Sequence, residues 1–339
     1  MPGGPADNRA PRSPPFRPAQ PIRPARPPHP KSPPFSKRAE RETDKAMESP
    51  IDLAPALQQL LAFKSVLVLL WLALALVLEQ WRPAALPPLS LAGYGAAWFA
   101  RWGRNLGLFV LGAALSSLLV LPVTIWASSL QLWTRPAAVP PLAWPFIDIL
   151  LLDVWIYWWH RANHVVPFLW RFHEVHHRDR HLDATSALRF HFGELFLSAL
   201  VRAVVIIALA IPLQSVLVFE ALVLVAAIFH HANWRLPAGF ERALSRVIIT
   251  PSRHWVHHHR VRRDTDSTYG TIFSFWDPLF RSTTPTQRTQ LMEIGVEGRE
   301  EADFIALIGL PSRGAAPAET AAGAPQPDLA MQALPAAES

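Results

Sequence analysis

Four long apolar blocks occupy the middle of the chain and leave few folds open to it. Leu60 to Leu78 and Leu106 to Ser128 each reach the ~20 residues with which a helix spans a ~30 Å hydrocarbon core. Pro141 to Trp159 carries Asp148 and Asp153, and carboxylates at membrane depth normally face protein or a water-filled site. Leu195 to Phe229 is too long for one crossing and contains "AIPLQ" around Pro212. Proline disfavours continuing the helix, so this block reads as a helical hairpin. Helices satisfy their backbone hydrogen bonds within one segment, as a bilayer demands. The expectation is an all-α, polytopic membrane helical bundle.

The composition agrees. Half of the 339 residues are hydrophobic, and fourteen tryptophans against three tyrosines, many near the ends of apolar runs, suit anchoring at lipid–water interfaces. The net charge of +6 comes largely from arginine, much of it in the first 45 residues, without a compact basic domain. Anionic lipid headgroups are therefore the expected partner of that charge, and no nucleic acid is expected. The absence of cysteine excludes disulfides, iron–sulfur clusters and thiolate metal sites.

Residues 1–45, Pro- and Arg-rich, read as a disordered arm, and 312–339, Ala- and Pro-rich, as a disordered tail. The region 46–311 between them is the expected membrane-embedded domain. Within the hairpin, Arg202 lies ten residues before Pro212 and Glu220 eight after it. At ~1.5 Å per residue the two reach similar depth, so they form either an ion pair or the polar lining of a tunnel.

Orientation follows from short loops. Glu79 to Asn105 holds Arg82, Arg101 and Arg104, and Gln131 to Pro140 holds only Arg135, which places the former in the cytoplasm. The third block then runs inward and ends at His160 on the cytoplasmic face, as part of a His-rich helical cap. The Ala-, Arg- and Pro-heavy usage points to a GC-rich bacterium and hence its inner membrane.

Thirteen of the fourteen histidines fall between 160 and 259. His160 and His164 are one helical turn apart. His173, His176 and His177 follow the pattern H-x-x-H-H, which puts three imidazoles on one helical face, and His254, His257 and His258 repeat it. His191, His230 and His231 are further candidates, with one of the last two facing the cluster and the other packing. His259 is rotated away, and His181 reads as a solvated loop residue. Eight or more imidazoles exceed what one ion uses, so two metals are implied, and nitrogen-rich ligation suits iron, copper, zinc or nickel. A zinc pair would serve hydrolysis, usually with carboxylates present. Two irons reducing dioxygen to attack an unactivated C–H bond of a lipid fit a histidine set at a membrane face better. A non-enzymatic His-rich membrane metal-binding or transport protein is the alternative, although transport needs ligands at mid-depth along a path.

The ordered motifs "DVWIYWWHRANH", "LWRFHEVHH", "ALRFHFGE", "FHHAN", "TPSRHWVHHH" and "TYGTIFSFWDPLF" resemble the fatty acid hydroxylase/sterol desaturase superfamily of membrane di-iron enzymes over about 145–285. The resemblance implies a di-iron centre, O2 as co-substrate, and hydroxylation or desaturation of a sterol-like, isoprenoid or fatty acyl substrate. It implies a separate ferredoxin- or cytochrome-type electron donor. His160, His164, His173, His176, His177, His254, His257 and His258 correspond to metal ligands, and His191 and His231 would complete the set. Glu194 would orient a ligand histidine. Asp153, His230, Asn233, Tyr269 and Asp277 are further candidates for outer support. Thr268 stands where the family commonly has Asn before Tyr-Gly, and Arg281-Ser282 where it closes with Gly-Thr.

Overall fold

The computed structural model describes residues 54–86, 95–130 and 132–313. The expected arm and nearly all of the expected tail lie outside the described residues. Among the described residues the fold is helical without a β-strand. Eight helices matter for the site: α1 (Ala54–Trp81), α2 (Ala96–Ser129), α3 (Pro141–Val165), α4 (Pro167–His177), α5 (Phe192–Leu209), α6 (Leu213–His231), α7 (Ala238–Leu244) and α8 (Pro251–His257).

Helices α2, α3, α5 and α6 are each long and apolar enough to cross a membrane, and the apolar stretch Val66–Trp81 of α1 is shorter. Their outward faces carry exposed large apolar side chains such as Leu118, Trp126, Phe146, Trp158 and Val204. Inside, Ala127, Leu152, Ala203, Ile206, Val216 and Phe219 form one buried cluster. Small residues at Ala127 and Ala203 let backbones approach, and in lipid this close packing replaces the hydrophobic drive that water would supply.

Proline sets the chain's corners. The α5–α6 hairpin turns at Ala210 to Pro212, as read from the sequence, with Ala210 in the left-handed region at φ 50°. Pro122 has no N–H to offer Leu118, and the helix widens into a π turn over Ser116–Val120 immediately before it. Pro167 opens α4 and holds Val166 extended (φ −95°, ψ 113°), which ends α3 and folds α4 back against it. Pro251 opens α8 after an extended Thr250 in the same way.

At Pro141 to Val165 the membrane helix and the first histidine motif are one continuous segment. Asp148 is buried by Arg135, which donates to both carboxylate oxygens (2.7 and 3.1 Å), and by Ser215 at 2.6 Å. Asp153 accepts from the Ile272 and Phe273 amides and the Trp276 indole, pinning the closing motif to α3.

The sequence reading of the second block needs correction. Helix α2 begins at Ala96, ten residues before the expected start, so Arg101 and Arg104 are helical rather than part of a loop. Arg101 is fully buried and donates to Asp179 (2.6 and 2.7 Å), Asp183 and Ser186. Arg104 pairs with Glu301. Removing both from the loop leaves Arg82 against Arg135, and the charge count no longer separates the two faces. At ~1.5 Å per residue α2 is about 50 Å long, and its first turns extend past a ~30 Å hydrocarbon layer to the histidine face, where Asp179 follows His177.

Burial would raise the Asp179 carboxyl, but Arg101 and Arg189 carry it below the ordinary carboxylate range. Arg101→Leu leaves the buried Asp179 and Asp183 without their main counter-charge, which costs about 3–5 kcal/mol. The expected result is a large fall in the thermal unfolding midpoint of the purified protein, with Arg101→Lys intermediate. A midpoint equal to wild type would contradict the role given to this network.

Candidate metal centre

Nine histidines gather in two adjoining groups among the described residues. His160, His164, His173, His177 and His257 form the first, and His176, His231, His254 and His258 the second; within each, one ligand atom per residue lies within 4.8 Å of all the others. The two H-x-x-H-H motifs are each divided. In α4 the i, i+4 pair His173 and His177 faces the first group and His176 the second. In α8 and its cap, His254 and His258 face the second and His257 the first. Spacing shows that three imidazoles share a helical face, and only the packed structure divides them between two groups. The groups meet where the rings of His177 and His258 stack, 4.2 Å between centroids.

Outer hydrogen bonds aim the rings. In the first group the Nδ1 side of His160 meets the Tyr269 carbonyl (2.9 Å), His164 meets Asp266 (3.2 Å), His173 meets Glu194 (2.9 Å) and His257 meets the Ser267 carbonyl (2.6 Å). Nδ1–H donates in each case, so Nε2 keeps its lone pair. The Nε2 atoms of His164, His173 and His257 are buried with no hydrogen-bond partner, and neither nitrogen of His177 has one.

The second group carries the same signature more sharply. His176 donates from Nδ1 to the Arg189 carbonyl (3.1 Å), and His231 to the Ala227 carbonyl (2.8 Å). Their Nε2 atoms therefore both present lone pairs, yet lie 3.1 Å apart, with His254 Nε2 at 2.9 Å from His231 and His258 Nε2 at 3.1 Å from His254. Two acceptors facing each other repel unless a cation lies between them. Four buried imidazole nitrogens that converge within 4.8 Å of one another make a donor set that would fit a metal ion.

Electrostatics favours the same state. Burial first, and neighbouring imidazoles second, hold His176, His177, His254, His257 and His258 well below the usual histidine range. Both effects favour the neutral imidazole, the form that ligates.

Other candidates resolve differently. His230 is buried with its ring 3.9 Å from that of His254, outside both groups. His191 is not brought to either group. Its Nδ1 accepts from the Gly193 amide (2.9 Å) and its Nε2 donates to the Ile308 carbonyl (3.0 Å), so it caps α5 and has no lone pair left. The motif "HFGE" explains this: a Cβ on Gly193 would sit 2.5 Å from the Phe172 ring, which lets the α5 start press against α4. His181 is buried rather than solvated, against Asn233 (3.4 Å) and the rings of Trp98 and Trp255, and burial lowers it to about 4. His259 stays outside the groups and pairs with Asp264 at 2.8 Å.

Of the outer candidates, Glu194 touches a grouped histidine directly and is braced by Asn163 (3.1 Å). Asp277 accepts from the Tyr269 and Gly270 amides and from Ser282, and so holds the turn whose carbonyl receives His160. Asn233 holds the chain at Ala84 and Ala85. The two unusual positions of the closing motif are both left-handed, Thr268 at φ 56° and Arg281 at φ 57°. Asn and Gly are at ease there, whereas a β-branched threonine is strained. The Thr268 amide donates to the Ser282 carbonyl at 2.7 Å, one of the contacts that hold it in place. Arg189 and Asp266 were not singled out in the sequence, and their roles depend on loops that return to α4 and α3.

A cavity of about 660 Å³ opens from both groups and runs between α2, α3, α5 and α6. Leu108, Ile156, Leu195, Phe219 and Val223 are among its apolar walls, and Arg202 and Glu220 stand farther along it.

Two all-histidine groups that could each hold a metal ion thus lie at the ends of membrane-capable helices. Residues 146–282 match the model of the fatty acid hydroxylase family. It is 26% identical over 176 residues to ornithine lipid hydroxylase OlsE of Rhizobium tropici, covering 50% of this chain and 52% of that one. It is 31% identical over 144 residues to alkylglycerol monooxygenase of Danio rerio (42% and 31%), and 27% over 165 residues to cholesterol 25-hydroxylase of Rattus norvegicus (47% and 54%). The match thus spans about half, or less, of each relative. No solved structure matches the chain.

His176→Ala and His257→Ala each open one group. Metal analysis of monodisperse, membrane-inserted protein should show fewer ions per chain than wild type in both variants, whereas His191→Ala should keep the full metal content with a lower unfolding midpoint. Full metal content in His176→Ala and His257→Ala would contradict the ligand assignment.

Proposed function

We propose that this chain is an O2-dependent di-iron membrane hydroxylase acting on a lipid. The observation that carries the reading is the joining of two buried all-histidine groups to an apolar cavity between membrane-capable helices. Iron held by the two groups supplies the reduction of dioxygen and the breaking of an unactivated C–H bond, chemistry that side chains alone lack.

The protein's part is positioning and exclusion. His160, His164, His173, His177 and His257 hold one ion, and His176, His231, His254 and His258 the other. The Nδ1 contacts of six of these rings, to Tyr269, Asp266, Glu194, Ser267, Arg189 and Ala227, keep Nε2 inward. Burial keeps the imidazoles neutral and bulk water away from the site. The cavity receives the apolar part of a lipid and brings one carbon to the histidine face.

Electrons come from a separate ferredoxin- or cytochrome-type carrier, since a chain without cysteine holds no iron–sulfur cluster of its own. We place the metal face toward the cytoplasm of a bacterial inner membrane, where reduced carriers are available. The names of the relatives, a lipid hydroxylase, an alkylglycerol monooxygenase and a cholesterol hydroxylase, favour hydroxylation over desaturation.

Protein reconstituted in lipid discs with a reducing system and labelled dioxygen tests this. Lipid-dependent oxygen uptake with one labelled oxygen atom in the product is expected. Uptake with loss of two hydrogens and no incorporated oxygen would make the chain a desaturase, and no lipid-dependent uptake by fully metallated protein would contradict the proposal.

A further inference from the structure

Inside the α5–α6 hairpin, Arg202 donates to Glu220 at 2.6 Å, and both line the cavity that starts at the histidines. The Arg202 side chain is only 9% exposed, its guanidinium lies over the Trp155 ring (5.8 Å), and its Nε is buried without a hydrogen-bond partner. Thr124 Oγ1 stands 3.5 Å from Nη2, and the Glu220 side chain is 31% exposed. The π turn of α2, whose Ser116 and Ser117 line the same cavity, widens the helix next to this pair.

A buried ion pair contributes little net stability compared with apolar side chains of similar volume. In this one Arg202 Nε also lacks a hydrogen-bond partner, and leaving a buried donor unpaired is costly. We infer that Arg202 and Glu220 anchor the polar end of the substrate, and that the group they take is neutral and both donates and accepts hydrogen bonds, such as a hydroxyl or a primary or secondary amide, on a long apolar body. This rests on the reading of the cavity as the lipid site. The pair offers an N–H donor and a carboxylate acceptor but no net charge. A free carboxylate would meet the Arg202 charge already compensated and Glu220 repelling it, whereas a hydroxyl can accept from Arg202 and donate to Glu220.

Position supports the assignment. Arg202 is eight residues from Glu194 on α5, about 12 Å at ~1.5 Å per residue, and Glu194 contacts His173. The polar end is held at the far part of the cavity while the apolar segment extends back to the histidines. Arg202 and Glu220 are thus specificity residues that set which carbon reaches the metal face.

The test is retention of tritiated hexadecan-1-ol and tritiated hexadecanoic acid by purified full-length protein in detergent at about pH 8, where the acid is ionised. Wild type should retain the alcohol roughly tenfold more tightly than the acid, the scale of one satisfied hydrogen bond. Glu220→Gln leaves the arginine charge uncompensated and should reverse the preference. Arg202→Leu combined with Glu220→Leu keeps the cavity neutral and should lose it. Equal retention of the two probes by wild type, or an unchanged preference in monodisperse Glu220→Gln protein, would overturn the inference. The readout is binding, so selective retention by protein that oxidises no lipid would count against the hydroxylase reading and leave the anchor standing. Turnover with unselective retention would do the reverse.

Discussion

Imidazole lone pairs that face one another in a buried space are the constraint on which this structure depends. The Nε2 atoms of His176, His231, His254 and His258 approach to about 3 Å in successive pairs, and two of those rings have Nδ1 committed to backbone carbonyls. Such an arrangement is costly in the apoprotein and favourable around a cation. Metal binding is therefore expected to contribute to folding as well as to chemistry. The surrounding polar network keeps the rings from turning away: Asp277 holds the turn that supplies the Tyr269 carbonyl, and Arg189, itself tied to Val175 and Asn105, supplies the carbonyl for His176.

The membrane-capable helices and the histidine groups are made by the same segments. Helix α3 carries apolar residues through most of its length and ends in His160 and His164, and α6 ends in His230 and His231. Proline at the start of α4 and α8 fixes where each helix begins, so the histidine phase of each motif is set relative to its neighbours. The cavity begins where those helix ends converge and continues between their apolar walls, which joins an apolar space to the buried histidine groups.

Much of this was legible in the sequence because two periodicities coincide there. Apolar run length gave the spans of α2, α3, α5 and α6, though not that of the first block, whose described apolar stretch Val66–Trp81 is shorter, and proline gave the hairpin at Pro212; i, i+3, i+4 spacing gave eight grouped histidines, and resemblance added His231. The division of each H-x-x-H-H motif between two groups was not legible, since it depends on where α3, α6 and the 266–269 turn meet α4 and α8. His191 was misplaced because its local partners, Gly193 and Ile308, satisfy both nitrogens, one of them through a contact 117 residues distant. Arg101 and His181 looked solvent-bound in a linear reading. Their burial follows from Asp179 and Asp183 folding back onto α2, which no local pattern announces.

Mössbauer spectroscopy of protein purified from cells grown on iron-57 tests the central claim most directly. Two histidine groups sharing a stacked His177–His258 boundary predict two irons per chain and a magnetically coupled di-iron signal. Protein carrying a single isolated iron, or a full complement of zinc that iron does not replace under anaerobic reconstitution, would contradict the account.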